Sequence, residues 1–332
     1  MSTKITTRPY GVRKDGKNVT EYILDNGYME VSLMDHGAII LGIRVPDKEG
    51  RKEEVTLGFA TLEEYESFPT HNFGSFVGRV ANRISGCAFT LDGVEYKLDN
   101  NNNGACLHGG FDRYNHKFYD AVIGDGSVTF SRVSPDMEQG FPGNLTLSVT
   151  YTLTDHNSLD ISYRATTDKK TPVNLTNHAF FDLSAGHAKD IQEQELLMES
   201  GRHYMAVDKI LIPTDIKETK GTRYDFTFWK NMGYDGGFDN AFLFDKKEGA
   251  VEKVASVRDN LTGRRMDVYT DQPSIQLYTG QNNSFPTHGR FSGFCLETQG
   301  YINAVNDHRF PSCILNPKEE YTHFVSYRFY TE

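Results

Sequence analysis

Leu145-Thr-Leu-Ser-Val-Thr-Tyr-Thr-Leu153 alternates apolar and polar residues along its whole length. A period of two marks a strand with one buried face, because successive side chains leave a strand on opposite sides. Leu159–Arg164 repeats the alternation, and Asp155-His156-Asn157 lies between the two runs. Asp and Asn tolerate turn conformations, so the pair reads as a hairpin. The same period runs outward through the chain. Ala88–Leu98 reads as two strands around Asp92-Gly93, a type I′ turn pair. Tyr22–Val45 reads as two or three strands, broken at Asn26-Gly27 and Asp35–Gly37. Val254–Asp259 and Arg265–Tyr269 pair around Asn260–Gly263, and Ser274–Tyr278 and Phe324–Tyr330 are later strands. Helical signals are sparse. Thr61–Ser67 predicts one short helix, with Thr61 as its N-cap and an early acidic pair.

Many strands and frequent turns predict an all-β protein: a large antiparallel β-sandwich, closed or two-layered so that its edges are hidden, with few short helices. Neither a G-x-G-x-x-G nor a phosphate-binding loop is present, and no βα alternation is sustained. A Rossmann or TIM fold is therefore not expected. No Pro/Gly/Ser tract divides the 332 residues, so residues 1–332 read as one domain.

The formal net charge of −10 argues against a nucleic-acid partner, which would need a basic surface. No apolar run approaches the roughly 18 residues that span a bilayer. The opening M-S-T-K-I-T-T-R-P-Y has no signal-peptide apolar region. Cys87, Cys106, Cys295 and Cys313 lack C-x-x-C spacing and read as buried free thiols. These features point to a cytoplasmic protein acting on a small neutral ligand, away from membranes; a monomer or homodimer is expected, though none of these features sets the oligomeric state.

Five islands carry the candidate chemistry. The first is N-L-T-N-H-A-F-F-D-L-S, which contains His178. Its imidazole reads either as a core histidine or as a proton donor in a cleft. Glu297 follows the apolar run Gly293–Leu296, and a glutamate there is costly to bury without a partner or a purpose. His108 in C-L-H-G-G reads as a turn histidine or as a ring held at a ligand site. In the second case Gly109 and Gly110 would admit the ligand close to the backbone. Asn82 and Arg83 in G-R-V-A-N-R-I either tie down a loop or form a polar clamp. Asp239 in G-F-D-N-A-F reads as a turn aspartate or a site carboxylate. Histidine and cysteine spacings give no metal motif, and no G-x-S-x-G elbow is present. The kit is one of histidines and carboxylates, with no metal and no cofactor expected.

Taken in order, these islands resemble the aldose 1-epimerase (galactose mutarotase) family. The motifs are G-R-V-A-N-R-I, L-H-G-G, N-L-T-N-H-A-F-F-D-L, G-F-D, P-S-I-Q-L-Y-T-G, G-F-C-L-E-T-Q and the tail R-F-P-S-C-I-L-N-P-K-E-E-Y. The resemblance implies a β-supersandwich and an enzyme that interconverts the α and β anomers of a free aldohexose. It implies Glu297 as general base and His178 as general acid, with His108 as the second histidine near the ring oxygen. It assigns sugar hydroxyls to Arg83 with Asn82 beside it, to Asp239, and to Gln276, which matches a site glutamine of some members. For Glu297 to act as a base it should be ionised, which favours a nearby donor such as Arg83 or a histidine.

Three positions depart from the family pattern: Asp182 after Phe181, Asn240 after Asp239, and Asp215 after I-P-T. The segment from Gln281 to Gly293 is short. Competing readings are a non-catalytic carbohydrate-binding protein, a glycoside hydrolase using Glu297 and Asp239, and an epimerase of a phosphorylated sugar or a disaccharide end. The phosphate version would need extra cations, for which Arg79 and Arg290 are candidates beside Arg83.

Overall fold

The structure is a computed structural model that describes residues 2–233 and 236–332. Its centre is a nine-stranded antiparallel sheet. The Leu145–Leu153 and Ser158–Thr167 strands form the predicted hairpin inside it. Ser158–Thr167 then pairs with the C-terminal strand Tyr321–Thr331, which pairs with Arg264–Thr270 and through it with Glu252–Arg258. Burial along Leu145–Leu153 alternates with the sequence: Leu145, Leu147, Val149, Tyr151 and Leu153 are buried, and the residues between them are not.

The N-terminal five-stranded sheet packs against this one. Its strands are Lys4–Val12, Asn18–Asp25, Glu30–Met34, Ile39–Pro46 and Lys52–Glu54, in sequence order. The breaks fall where the turn residues predict. Asn26 Oδ1 accepts hydrogen bonds from the backbone N–H groups of Tyr28 and Met29, an Asx turn. Tyr22 meets Phe130 edge-on at 5.5 Å, and the Tyr151 hydroxyl donates to the Ala38 carbonyl at 2.7 Å. Both contacts cross from one sheet to the other. Each large side chain buried at such a junction contributes about 1.5–3 kcal/mol over its exposed state.

A second five-stranded sheet runs in the order Pro213–Glu218, His203–Val207, Asp239–Leu243, Ser274–Tyr278, Cys295–Gln299. The Asp92-Gly93 hairpin is present, with both residues at positive φ as a type I′ turn requires. The helix spans Leu62–Ser67 and starts at Thr61. The Thr61 hydroxyl accepts from the Glu64 N–H, and Glu64 reaches back to the Thr61 N–H, a capping box. Its Tyr65 sits among Phe59, Phe73 and Phe180, an aromatic cluster that also contains Cys295. All four cysteines are free; Cys106 and Cys295 are buried, while Cys87 and Cys313 are only half-buried.

Candidate active site

The second five-stranded sheet puts four polar side chains on one face. Gln276 is the register partner of Glu297, and Tyr278 is the partner of Asp239. Directly opposed residues share a face, and residues two apart on one strand share it too. Asp239, Gln276, Tyr278 and Glu297 therefore emerge together from three adjacent strands. The Gln276 side-chain N–H donates to Asp239 Oδ1 at 2.6 Å, and Gln276 Oε1 has no partner among the described residues.

His178 arrives from the short strand Thr176–His178, which pairs with Ser75–Val77. The Thr176 hydroxyl donates to the Thr298 carbonyl at 2.7 Å and ties this strand to the one carrying Glu297. The His178 Nε2 lies 3.4 Å from Glu297 Oε1, and its Nδ1 lies 3.4 Å from the buried Cys295 sulfur. The ring packs against Phe180 at 5.0 Å and His108 at 5.4 Å.

Arg83, Asn82 and His108 sit where Arg83–Ser85 pairs with Ala105–Leu107. Asn82 and His108 both have positive φ. The strain, uncommon outside glycine, is held by a reciprocal pair of bonds. The His108 N–H donates to the Asn82 carbonyl at 3.0 Å, and the Asn82 N–H donates to His108 Nδ1 at 3.1 Å. Because a backbone N–H only donates, His108 Nδ1 must accept. In the neutral ring the proton then resides on Nε2. Candidate ligand atoms of His108, His178 and Glu297 lie within 4.8 Å of one another, a spacing that could hold a metal ion. The fixed tautomer of His108 opposes this, since its Nε2 already bears a proton. The trio suits hydrogen bonding better than metal ligation.

Asn82, Arg83, His108, His178, Asp239, Gln276 and Glu297 all line one cavity of about 230 Å³. A larger cavity of about 640 Å³, bordered by Val173, Phe244 and Tyr301, contains none of them. Convergence of buried polar groups, not volume, marks the smaller one as the candidate site. Phe285 of the short Gln281–Gly293 segment also lines it, and residues with no role assigned from sequence complete it: Thr70, Asn72, Phe180, Tyr278 and Asn283 among others. Tyr278 and Phe180 lie inside motifs that were read for their neighbours. Asn72 is held by Arg113, whose guanidinium donates to Asn72 Oδ1 at 3.0 Å. Neither has a sequence signal, because both belong to irregular loops.

Burial dominates the electrostatics. It pushes the Glu297 carboxyl well above the usual range, and nearby Asp239 adds to this while Arg83 opposes it. Burial drives the His178 imidazole down to about 3, with the Arg113 charge contributing. It also lowers His108 well below its ordinary value, helped by His178, Arg113 and Arg83. Asp239 is raised by burial against the pull of Arg83 and Gln276. Of the two partners expected for Glu297, Arg83 or a histidine, it is the histidine that makes the contact, while burial opposes the ionised form of the carboxyl. Arg83 donates instead to Asn102 at 3.2 Å and Asn82 at 3.3 Å, and the contact of Glu297 is with His178. The other carboxyl oxygen of Glu297, Oε2, is buried with no hydrogen-bond partner among the described residues.

Further expectations are corrected. Arg79 is fully buried away from the cavity and donates to Ser134, Pro142, Gly143 and Thr171. Arg290 donates to the Gln281 carbonyl and does not line the cavity. Neither adds the cation that a sugar phosphate would need. Gly109 makes room for backbone, not ligand: a Cβ there would come 2.2 Å from the Gly78 carbonyl oxygen. At Gly110 the obstacles would be Asp99 and Gln139. Asp182 organises a buried turn by accepting from Ser184, Gly186 and Gln194. Asn240 donates to Met205 at 3.4 Å, and Asp215 is on an exposed strand. None of the three departures lines the cavity.

The family model for aldose 1-epimerase matches residues 20–328. A galactose mutarotase from Sus scrofa is 39% identical over 334 residues, covering 96% of each chain. The aldose 1-epimerase of Escherichia coli K12 is 34% identical, covering 93% of this chain and 94% of its own. An aldose epimerase homologue from C. elegans superposes with a TM-score of 0.87 at 26% identity over 99% of both chains.

Proposed function

The chain belongs to the aldose 1-epimerase family, isomerases that act on carbohydrates, and on that premise we propose that it interconverts the α and β anomers of a free aldohexose such as galactose or glucose. In this reading Glu297 is the general base and His178 the general acid. His108, Asn82, Arg83, Asp239 and Gln276 hold the sugar. The observation that carries it is the 3.4 Å contact between His178 Nε2 and Glu297 Oε1 inside a cavity of buried polar groups.

Both groups are shifted toward their uncharged forms, so the pair holds one transferable proton. The reaction uses that proton in a closed cycle. With the proton on His178 Nε2, Glu297 is a carboxylate. It takes the proton from the C1 hydroxyl while Nε2 gives its proton to the ring oxygen, and the C1–O5 bond breaks. The sugar becomes the neutral open-chain aldehyde, and the pair is left as protonated Glu297 and neutral His178. Rotation about C1–C2 presents the other carbonyl face. Glu297 then returns its proton to O1 as His178 takes one from the C5 hydroxyl, and the ring closes on the opposite anomer.

Burial favours the uncharged pair, which is the form that accompanies the open chain. The low-dielectric site therefore pulls the cycle toward ring opening. Positioned proton transfer of this kind contributes typically about 10²–10⁴-fold. No charge crosses between protein and sugar overall, so the scheme requires neither metal nor cofactor. The reading also expects a cytoplasmic protein. Among the described residues no helix is long and apolar enough to cross a membrane.

The test is anomer exchange followed by NMR or polarimetry with galactose, glucose, xylose and glucose 6-phosphate. Glu297→Gln and His178→Asn should each lower kcat by about 10²-fold or more. Rates equal to the unaltered protein on every sugar would end the proposal.

A further inference from the structure

The loop after Tyr278 carries a buried polar group, Asn283, at the edge of the cavity. The Asn283 side chain is 5% exposed and lines the cavity, and its Nδ2 amide has no hydrogen-bond partner among the described residues. Leaving a buried donor unpaired forfeits its hydration without a replacement bond, so such groups are rare and call for a physical reason. Two other cavity-lining groups share the condition, Gln276 Oε1 and Glu297 Oε2. Gln276 Oε1 is an acceptor, and Glu297 Oε2 is one whenever the carboxyl is ionised, as the proposed cycle requires. Asn283 supplies a donor in the same space, and a hydroxyl needs both kinds of partner.

The loop is built to hold that amide still. The Asn283 N–H donates to the Gly280 carbonyl at 3.0 Å, and so does the Phe291 N–H. The Asn282 N–H donates to the Tyr278 hydroxyl at 3.2 Å. Two residues on, Phe285 enters the aromatic cluster, with its ring 5.0 Å from Phe73 and 5.8 Å from Phe59. Gly280 has φ +64°, and a Cβ there would lie 3.0 Å from Asn283 Nδ2 and 2.6 Å from the Gly293 carbonyl oxygen. A glycine is thus needed for the amide to occupy its place. Ordering a binding group before the ligand arrives removes an entropy cost from binding.

We propose that Asn283 is a sugar-binding residue that donates its side-chain amide to one hydroxyl of the bound aldose and thereby helps set which hydroxyl pattern the cavity accepts. The inference rests on the anomer-exchange reading for its substrate class. It adds to the sugar contacts a residue on the short Gln281–Gly293 segment, where the resemblance to the family assigns none.

The experiment measures anomer exchange by the full chain and by Asn283→Ala and Asn283→Asp. The substrates are galactose, glucose and the singly deoxygenated galactoses. Aspartate keeps the shape but replaces the donor by an acceptor, so it serves if alanine disturbs the loop. Each variant should raise KM about five- to tenfold on the parent sugar, with kcat within about threefold. On the one deoxy sugar that lacks the contacted hydroxyl, variant and unaltered protein should have equal KM, because the two deletions remove the same interaction.

An unchanged KM on every sugar would overturn the proposal. So would an increase by the same factor on every deoxy sugar, which would mark a loop defect. If the unaltered protein exchanged no anomers, the functional reading would fail separately. Sugar Kd values from NMR titration would then replace KM in the same comparison and still decide the role of Asn283.

Discussion

The Asn82 backbone N–H donates to His108 Nδ1 at 3.1 Å and thereby fixes the His108 proton on Nε2, the nitrogen left free for the cavity. Since burial holds this ring neutral, His108 is a permanent donor rather than a second acid. In the proposed cycle the three groups divide their work: His108 donates without changing protonation, while His178 and Glu297 exchange one proton.

Replacing His108 separates these roles. His108→Gln retains an amide donor of comparable reach and should raise KM about threefold. His108→Phe removes the donor and should raise KM about tenfold or more. Neither should shift the pH profile of kcat, because His108 does not titrate in the cycle. Steady-state polarimetry across pH checks both statements, and a displaced kcat profile in His108→Phe would show that the ring transfers protons.

The pH profile of the unaltered enzyme follows from the shared proton. In the proposed cycle, activity needs the one-proton state of the His178–Glu297 pair. A second proton enters only near the depressed value of His178, about 3. The last proton leaves only at the raised value of Glu297. The His178 step lies near 3, so kcat should show no histidine inflection at pH 6.5 as long as the fold persists. An inflection at 6.5, the ordinary histidine value, would refute the shared-proton account.

Cys295 stands behind His178, with its sulfur 3.4 Å from Nδ1 and its side chain fully buried. A thiol both accepts and donates weakly, so it can accompany either protonation state of the ring. Cys295→Ser keeps that ability and should hold kcat within about threefold. Cys295→Ala removes the contact and leaves a small void. We expect kcat to fall about tenfold and stability to drop by about 1–2 kcal/mol. Kinetics with urea denaturation distinguishes the two effects. Equal kcat in both variants would reduce Cys295 to packing.

Stability should decline in mild acid. Burial lowers His178 and His71 to about 3, and His36 and His323 to about 4. A group whose folded value lies below its unfolded one binds more protons when unfolded, in the window between the two values. Its stabilising effect is complete above about 6.5 and is lost as pH falls. Each of these histidines can subtract up to about 1.4 kcal/mol per pH unit between 6.5 and its folded value. Buried carboxyls such as Glu297 act in the opposite sense, since their raised values favour the folded form as pH falls. The histidines outnumber them here, so thermal midpoints should drop from pH 6.5 to 4.5. A midpoint that stayed level would contradict the neutral burial of these rings.

Much of this arrangement was legible in the residues. The period-two runs located the strands because one face of each is buried, as Leu145–Leu153 shows. Glu297 betrayed itself as a charge within an apolar strand, and His178 by its apolar company. What stayed hidden depends on chain segments that approach from afar. The pairing of His178 with Cys295 spans 117 residues, and nothing local to either announces it. Asn283 and Asn72 lie on loops with no periodicity; the Gly280 carbonyl and the packing of Phe285 hold the first in place, and Arg113 holds the second. The glycines of C-L-H-G-G misled for a related reason. A glycine shows that something approaches closely, but not whether it is ligand or, as at Gly109, the Gly78 backbone.

The register of the Asp239–Leu243, Ser274–Tyr278 and Cys295–Gln299 strands carries a last consequence. A slip of one residue between neighbouring strands would turn the shifted strand's polar side chains to the opposite face. Asp239, Gln276 and Glu297 would then no longer meet. There is no partially aligned version of this sheet that retains a partial site. Catalytic turnover is therefore a proofreading signal for assembly: in a refolding mixture, the fraction of recovered rate counts the molecules whose strands closed in the correct register, and compact but misregistered chains remain silent.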